Sequence, residues 1–243
     1  MRLRLIIAYD GRPYAGWQSQ ATSNAVQDIL EEAFAKVAGT RVVVHGSGRT
    51  DAGVHALGQC AHADVPGAMN PRDWQRALNA NLPPTIRIMN SGRAAPQFHA
   101  RFSAKGKVYR YLIRNGPILP PHEFGRAWQV PEPLQIGTLQ QAIAVLTGRH
   151  DFAAFCAQRR KATGDTTRTI RKIALSRRSG LIALTFEGEG FLYKMVRMLT
   201  AAIVRVAQGR ETLQRLQHRL ETGAPKWNHV APADGLYLVR VLY

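Results

Sequence analysis

Cysteine is scarce in this 243-residue chain, which has only Cys60 and Cys156. They lie far apart and fit no zinc or dithiol spacing, so a disulfide framework and a thiolate metal site are excluded and both thiols are expected to be small buried residues. Long apolar runs are also missing. No stretch is long enough to cross a bilayer, and the apolar core of residues 1–10 is too short for a signal peptide, so the expectation is a cytoplasmic protein without membrane association. Acidic residues are few: 16 Asp plus Glu stand against 33 Lys plus Arg, a formal net charge of +17. An excess of that size, spread along a folded-looking chain, points to a polyanionic partner, and nucleic acid fits best. His45, His55 and His62 lack a set of Cys, Asp or Glu partners, so no metal site is expected.

The richest stretch is Gly46-Ser47-Gly48-Arg49-Thr50-Asp51-Ala52-Gly53-Val54-His55-Ala56. Its glycines free the backbone around an arginine and an aspartate. A Walker loop would need Gly-Lys-Ser/Thr followed by a helix, and a Rossmann fingerprint would need its third glycine to open a helix. Here the glycines lead to Arg-Thr-Asp and an alternating, strand-like run. Two readings of the loop remain: a hairpin turn whose Asp51 caps backbone amides, or a turn that presents Asp51 for chemistry.

The pattern of elements repeats. In the first half, strands are expected at 3–7, 41–45, 54–64 and 85–90. A first helix, with Asn24 and Gln27 as its capping box, ends at Gly39, and a second is capped by Asn70 with Pro71 in its first turn. In the second half, a strand is expected at 105–113 and a helix opened by Thr138 and Gln141. A hairpin turns at Ser179-Gly180, a long helix runs over 191–207, and a last strand covers 235–243. In that long helix, Lys194, Arg197, Ala201 and Arg205 fall at helical spacing on a face of their own. Strand, helix, two strands, helix, strand is the ferredoxin-like order. The fold class is therefore α+β, with two ferredoxin-like (RRM-like) halves of antiparallel sheet related by pseudo-symmetry. Residues 1–103 form the half with the Asp51 loop, and residues 104–243 the half with Tyr109 and the Arg197 helix.

Gly48-Arg49-Thr50-Asp51-Ala52-Gly53-Val54-His55-Ala56 resembles the catalytic motif of the TruA family of tRNA pseudouridine synthases. Other motifs of that family are matched in order along essentially the whole chain. They are Tyr9-Asp10-Gly11 with Tyr14-x-Gly16-Trp17-Gln18, and His99-Ala100-Arg101-Phe102-Ser103-Ala104 leading into Lys107-x-Tyr109-x-Tyr111. Further on come Gly148-x-His150-Asp151-Phe152, Phe191-Leu192-x-x-Met195-Val196-Arg197 and Ala231-Pro232-x-x-Gly235-Leu236.

The resemblance implies a pseudouridine synthase fold and a cofactor-independent isomerase. It implies action as a homodimer on the anticodon arm of tRNA, where uridines 38, 39 and 40 become pseudouridine. Asp51 maps onto the catalytic aspartate, which attacks the sugar C1′, attacks the base, or removes a sugar proton on a glycal route. Tyr109 maps onto the aromatic under the target base, Arg49 onto the arginine that approaches the RNA, and Arg197 onto the arginine paired with the catalytic aspartate. Lys194 stands where many members carry histidine, and Met198-Leu199 where Asn-Ile is frequent. The basic insert 158–165 is also less typical, and reads as an RNA-touching loop or a solvated turn. The alternatives to this reading are a non-catalytic RNA-binding protein with two RRM-like halves, which lacks a recognisable RNP1 run, and a nucleotide-dependent enzyme using the Gly46 loop, which lacks the lysine.

Overall fold

Leu3, Leu5, Ile7 and Tyr9 recur at two-residue spacing and are all buried, and the segment they punctuate forms β1, Arg2–Tyr9. The computed structural model describes residues 1–20, 24–67, 69–157 and 164–243. After β1 the chain forms α1 (Val26–Ala38), β2 (His45–Gly46), β3 (His55–Asp64), α2 (Pro71–Asn81) and β4 (Ile86–Arg93). Then follow β5 (Gly106–Asn115), β6 (Trp128–Val130), α3 (Ile136–Leu146), β7 (Gly148–Asp151), β8 (Thr167–Arg178) and β9 (Leu181–Gly188). The last elements are α4 (Met195–Ala207), α5 (Leu213–Thr222) and β10 (Leu236–Leu242). The class is α+β, as the sequence implies.

Two units divide the chain. The first holds Met1–Lys105 together with Tyr237–Tyr243, and the second Gly106–Leu236. A division at 103/104 assigns the last strand to the second half, whereas in the structure Tyr237–Tyr243 group with the first. The reason is pairing: Tyr237 and Leu238 lie parallel to His55 and Ala56 of β3.

In the first unit the element order is strand, helix, two strands, helix, strand. β1 sits between β3 and β4 and is antiparallel to both, while β2 pairs antiparallel with the far part of β3. The strand expected over 41–45 shrinks to His45–Gly46. Val42 and Val44 are buried and Val43 is exposed, so the alternation is real. The backbone bonds of Val44, however, go to side chains of α1: its N–H donates to Glu31 Oε1 at 3.0 Å, and its carbonyl accepts from Gln27 Nε2 at 3.2 Å. A helix thus stands in for the neighbouring strand.

Helix starts depend on details of a single residue. Ala25, not Asn24, is the N-cap of α1, and its N–H donates to Asp28 Oδ2 at 2.9 Å. Asn70 caps α2 as expected, with Oδ1 accepting from the Asp73 N–H at 3.0 Å. Asn70→Ala should therefore cost about 1 kcal/mol and lower Tm by roughly 2–4 °C in a thermal melt.

In the second unit β9 lies between β5 and β8, β7 extends the sheet beyond β8, and β6 runs parallel to β5. The expected hairpin turns at Ser179 (φ 48°) and Gly180 (φ 77°), the left-handed pair that matches the twist of antiparallel strands. α5 lies outside the expected elements, although its signals are in the chain. Thr212 caps it, Leu216 and Leu220 bury its inner face, and Gly223 ends it. Most of the insert, residues 158–163, lies outside the described residues.

The helix expected over 191–207 starts four residues later, at Met195, because Lys194 adopts a left-handed conformation (φ 59°, ψ 6°). The face expected for Lys194, Arg197 and Arg205 is the least buried one: these three are half-buried, whereas Ala201 and the other residues of α4 are buried, so most of the helix lies in the core.

Where β3 ends, the imidazoles of His45, His62 and His99 gather, with His62 centred 5.0 Å from His45 and 4.7 Å from His99. Burial, then the neighbouring His99 and His45, holds the His62 ring down to about 4 from its ordinary 6.5. The folded state thus keeps His62 neutral where the unfolded chain binds a proton. Its contribution to stability is complete above pH 6.5 and falls as pH drops toward 4. Thermal melts across that window should show Tm decreasing with pH, and His62→Gln should flatten the decrease.

Candidate active site

The turn that carries Asp51 is held from several sides by its own unit. Ser47 N–H donates to the Cys60 carbonyl at 2.8 Å, and Ser47 Oγ donates to Gln59 Oε1 at 2.6 Å. Gln59, fully buried on β3, returns its Nε2 to the Gly48 carbonyl at 2.9 Å. A polar side chain buried in this way is satisfied on both ends of its amide, which fixes the start of the loop. The turn closes with Val54 N–H on the Asp51 carbonyl at 3.1 Å.

The segment after β1 supplies the other half of the cradle. Tyr9 Oη and Thr50 Oγ1 share a hydrogen bond of 2.8 Å in the core, and burial pushes the phenol well above its usual range, so it stays neutral. Trp17 N–H donates to the Thr50 carbonyl at 3.1 Å. Gly11 N–H donates to His55 Nδ1 at 3.2 Å, which leaves that nitrogen an acceptor, and the imidazole stacks on Tyr237 with centroids 4.6 Å apart. Asp10 lies 3.4 Å from the same ring nitrogen. Its carboxyl is held below the usual range chiefly by the hydrogen bond from Arg12.

Two glycines make this approach possible. A Cβ on Gly11 would stand 2.1 Å from the Val54 carbonyl oxygen, and one on Gly16 (φ +95°) 2.6 Å from that of Thr50. From sequence the segment Tyr9 to Gln18 has no assigned role. The structure shows it to be the wall on which the Asp51 turn is built, and the signal was present as two glycines and a tryptophan in the connection between β1 and α1.

Arg49 and Asp51 are thus brought together on one scaffolded turn. Arg49 is exposed, and its Nε donates to Gln18 Oε1 at 3.0 Å, so the wall also orients that guanidinium. Asp51 is half-buried.

Tyr109 and Arg197 belong to the second unit. Tyr109, on β5 opposite Phe186, is nearly buried and meets the edge of Phe191 at 5.2 Å and 86°. Arg197, in the first turn of α4, donates through Nε to the Ala231 carbonyl at 2.8 Å, and the Ala231 N–H returns to the Arg197 carbonyl at 3.2 Å. Tyr111, two residues along β5, donates to the Pro232 carbonyl at 2.7 Å. The Ala231-Pro232 pair therefore ties β5 to α4 by way of these two residues. Cys60 is buried and Cys156 half-buried, so the expectation of two buried thiols holds for the first only. Among the described residues, no helix is long and apolar enough to cross a membrane.

A family model described as tRNA pseudouridine synthase matches residues 5–103 and 142–243, which include the Asp51 turn and the start of α4. A tRNA pseudouridine synthase A of Akkermansia muciniphila is 48% identical, with 100% of this chain and 95% of the relative covered. Relatives of the same name are 40% identical in Rhodospirillum rubrum, covering 100% of this chain and 88% of the relative, and 37% in a Geobacillus strain, covering 100% and 98%. In class the protein is an isomerase with the pseudouridine synthase fold. The chain belongs to the tRNA pseudouridine synthase family.

Proposed function

We propose that this chain converts uridine to pseudouridine at nucleotides 38, 39 and 40 in the anticodon arm of tRNA, in the cytoplasm and as a homodimer, with Asp51 as its catalytic carboxylate. The observation that carries the reading is the scaffold of the Asp51 turn. Two glycines, a buried Tyr–Thr hydrogen bond and a buried glutamine hold a half-buried acid where its neighbour Arg49 projects outward. The net charge of +17 suits an RNA substrate with phosphates along its length.

The isomerisation breaks the C1′–N1 bond, turns the freed uracil and joins C5 to C1′. The proton on C5 leaves and N1 gains one, so the composition is unchanged and no redox partner enters. In each of the three routes one carboxylate does the work, as nucleophile on C1′, as nucleophile on the base, or as the base that takes a sugar proton. Tyr109 takes the role of the ring that stacks with the everted uracil, and its phenol adds a hydrogen-bonding tip. Arg49 approaches the RNA and supports the flipped state, and Arg197 takes the role of the arginine paired with the catalytic carboxylate.

The test is incubation of the protein with an unmodified tRNA transcript and no added cofactor, followed by mapping of pseudouridine along the RNA. Product confined to 38–40 is the expected result. Product elsewhere would overturn the position, and tRNA binding without product would favour a non-catalytic RNA-binding protein.

A further inference from the structure

Phe102 is the most exposed large apolar side chain among the described residues, at 77%. Its exposure is not that of a loose loop. Ala100 beside it is fully buried, its N–H donates to His62 Nδ1 at 3.1 Å, and its carbonyl accepts from Tyr243 Oη at 2.7 Å. His99 N–H donates to Ser103 Oγ at 3.1 Å, and Ser103 N–H donates to the His99 carbonyl at 2.9 Å. The Arg101 and Phe102 N–H groups converge on His99 Nδ1 at 3.1 and 3.3 Å. Arg2 holds the carbonyls of Pro96 and Phe98. A turn so fully hydrogen-bonded has already met its ordering cost, yet it directs a phenyl ring at water.

The surroundings of the ring define what it suits. The His99 imidazole packs against it with centroids 4.3 Å apart and planes 32° apart, and the Arg101 guanidinium carbon is 5.6 Å from its centroid. An exposed aromatic backed by one ring and flanked by a guanidinium matches the chemistry that stacks an unpaired base and neutralises its phosphate. The turn is anchored at His62, seven residues along β3 from His55, so at roughly 3.3 Å per residue it stands roughly 23 Å of strand beyond the exit of the Asp51 loop. It is therefore separate from the reacting centre, and a folded tRNA is long enough to reach both.

Resting on the functional reading above, we propose that Phe102, with Arg101 and His99, is a stacking platform for an unpaired base of the tRNA substrate away from the target uridine. Sequence alone marks this stretch as a family motif without a task, and the platform supplies one.

The test compares full-length wild type with Phe102→Ala, Phe102→Leu and Phe102→Trp. The measurements are tRNA affinity by anisotropy, turnover at saturating tRNA, thermal stability, and mass by light scattering. The expected result is a Kd about tenfold weaker for Ala and Leu, from the loss of one base stack. Trp should retain wild-type affinity, and all variants should keep wild-type kcat and Tm. Leu binding as well as wild type would overturn the platform, since generic apolar contact would then suffice. Unchanged affinity in all three would also overturn it, and if the variants changed the mass instead, the face would be a protein contact. Should wild type bind tRNA with the expected Phe102 dependence and yet form no pseudouridine, the platform would stand and the functional reading would fall.

Discussion

Asp51→Asn is expected to reduce pseudouridine formation by at least about a thousandfold while leaving tRNA affinity and Tm close to wild type. The amide has the size of the carboxylate but neither its charge nor its nucleophilicity. Bonds from Ser47, Gly48, Thr50 and the Asp51 main chain brace the turn, and an amide of the same size leaves them in place. Single-turnover assays on an unmodified transcript, beside a binding isotherm, separate the two effects. Equal product from both proteins would remove Asp51 from the mechanism. Loss of binding together with product would instead make it a residue of the RNA surface.

Gly11→Ala should carry the second largest effect. One added methyl would lie 2.1 Å from the Val54 oxygen and 2.4 Å from its carbon, both backbone atoms that cannot rotate away. The Asp51 turn must therefore move by a sizeable fraction of an ångström or more, and misplacement of about 1 Å at a reacting group costs on the order of a hundredfold in rate. Turnover at saturating tRNA should drop by about that factor, with Kd for tRNA nearly unchanged. Gly92→Ala is the control, since its Cβ would meet nothing within 4 Å. Wild-type turnover in Gly11→Ala would show that the wall does not position the acid.

How much of this could be read in one dimension depended on how local the cause was. The period-two burial of β1, the Asn70 cap with Pro71 behind it and the Ser179-Gly180 turn each arise within a few neighbouring residues, and the structure has them where the pattern puts them. The expectations that shifted are those with distant partners. Val42 and Val44 alternate like a strand, but the backbone of Val44 bonds to α1, and Lys194 delays α4 by adopting a left-handed turn. The last strand, read with the second half, pairs with β3 of the first unit. The candidate site divides in the same way. The Asp51 motif was legible because its residues are consecutive in the chain. The contributions of Tyr9, Gly11, Gly16, Trp17 and Gln18 were not, since nothing in their spacing says which turn they will meet.

By itself the amino-acid sequence determined the α+β class, the basic character and the family motif around Asp51, since residue type and short-range periodicity carry that information directly. Only the tertiary structure decided what braces the Asp51 turn, how deeply α4 is buried, and that Phe102 stands out from a hydrogen-bonded turn. Each of those depends on contacts between residues tens of positions apart. Close packing and hydrogen-bond satisfaction select such contacts only once the chain has folded.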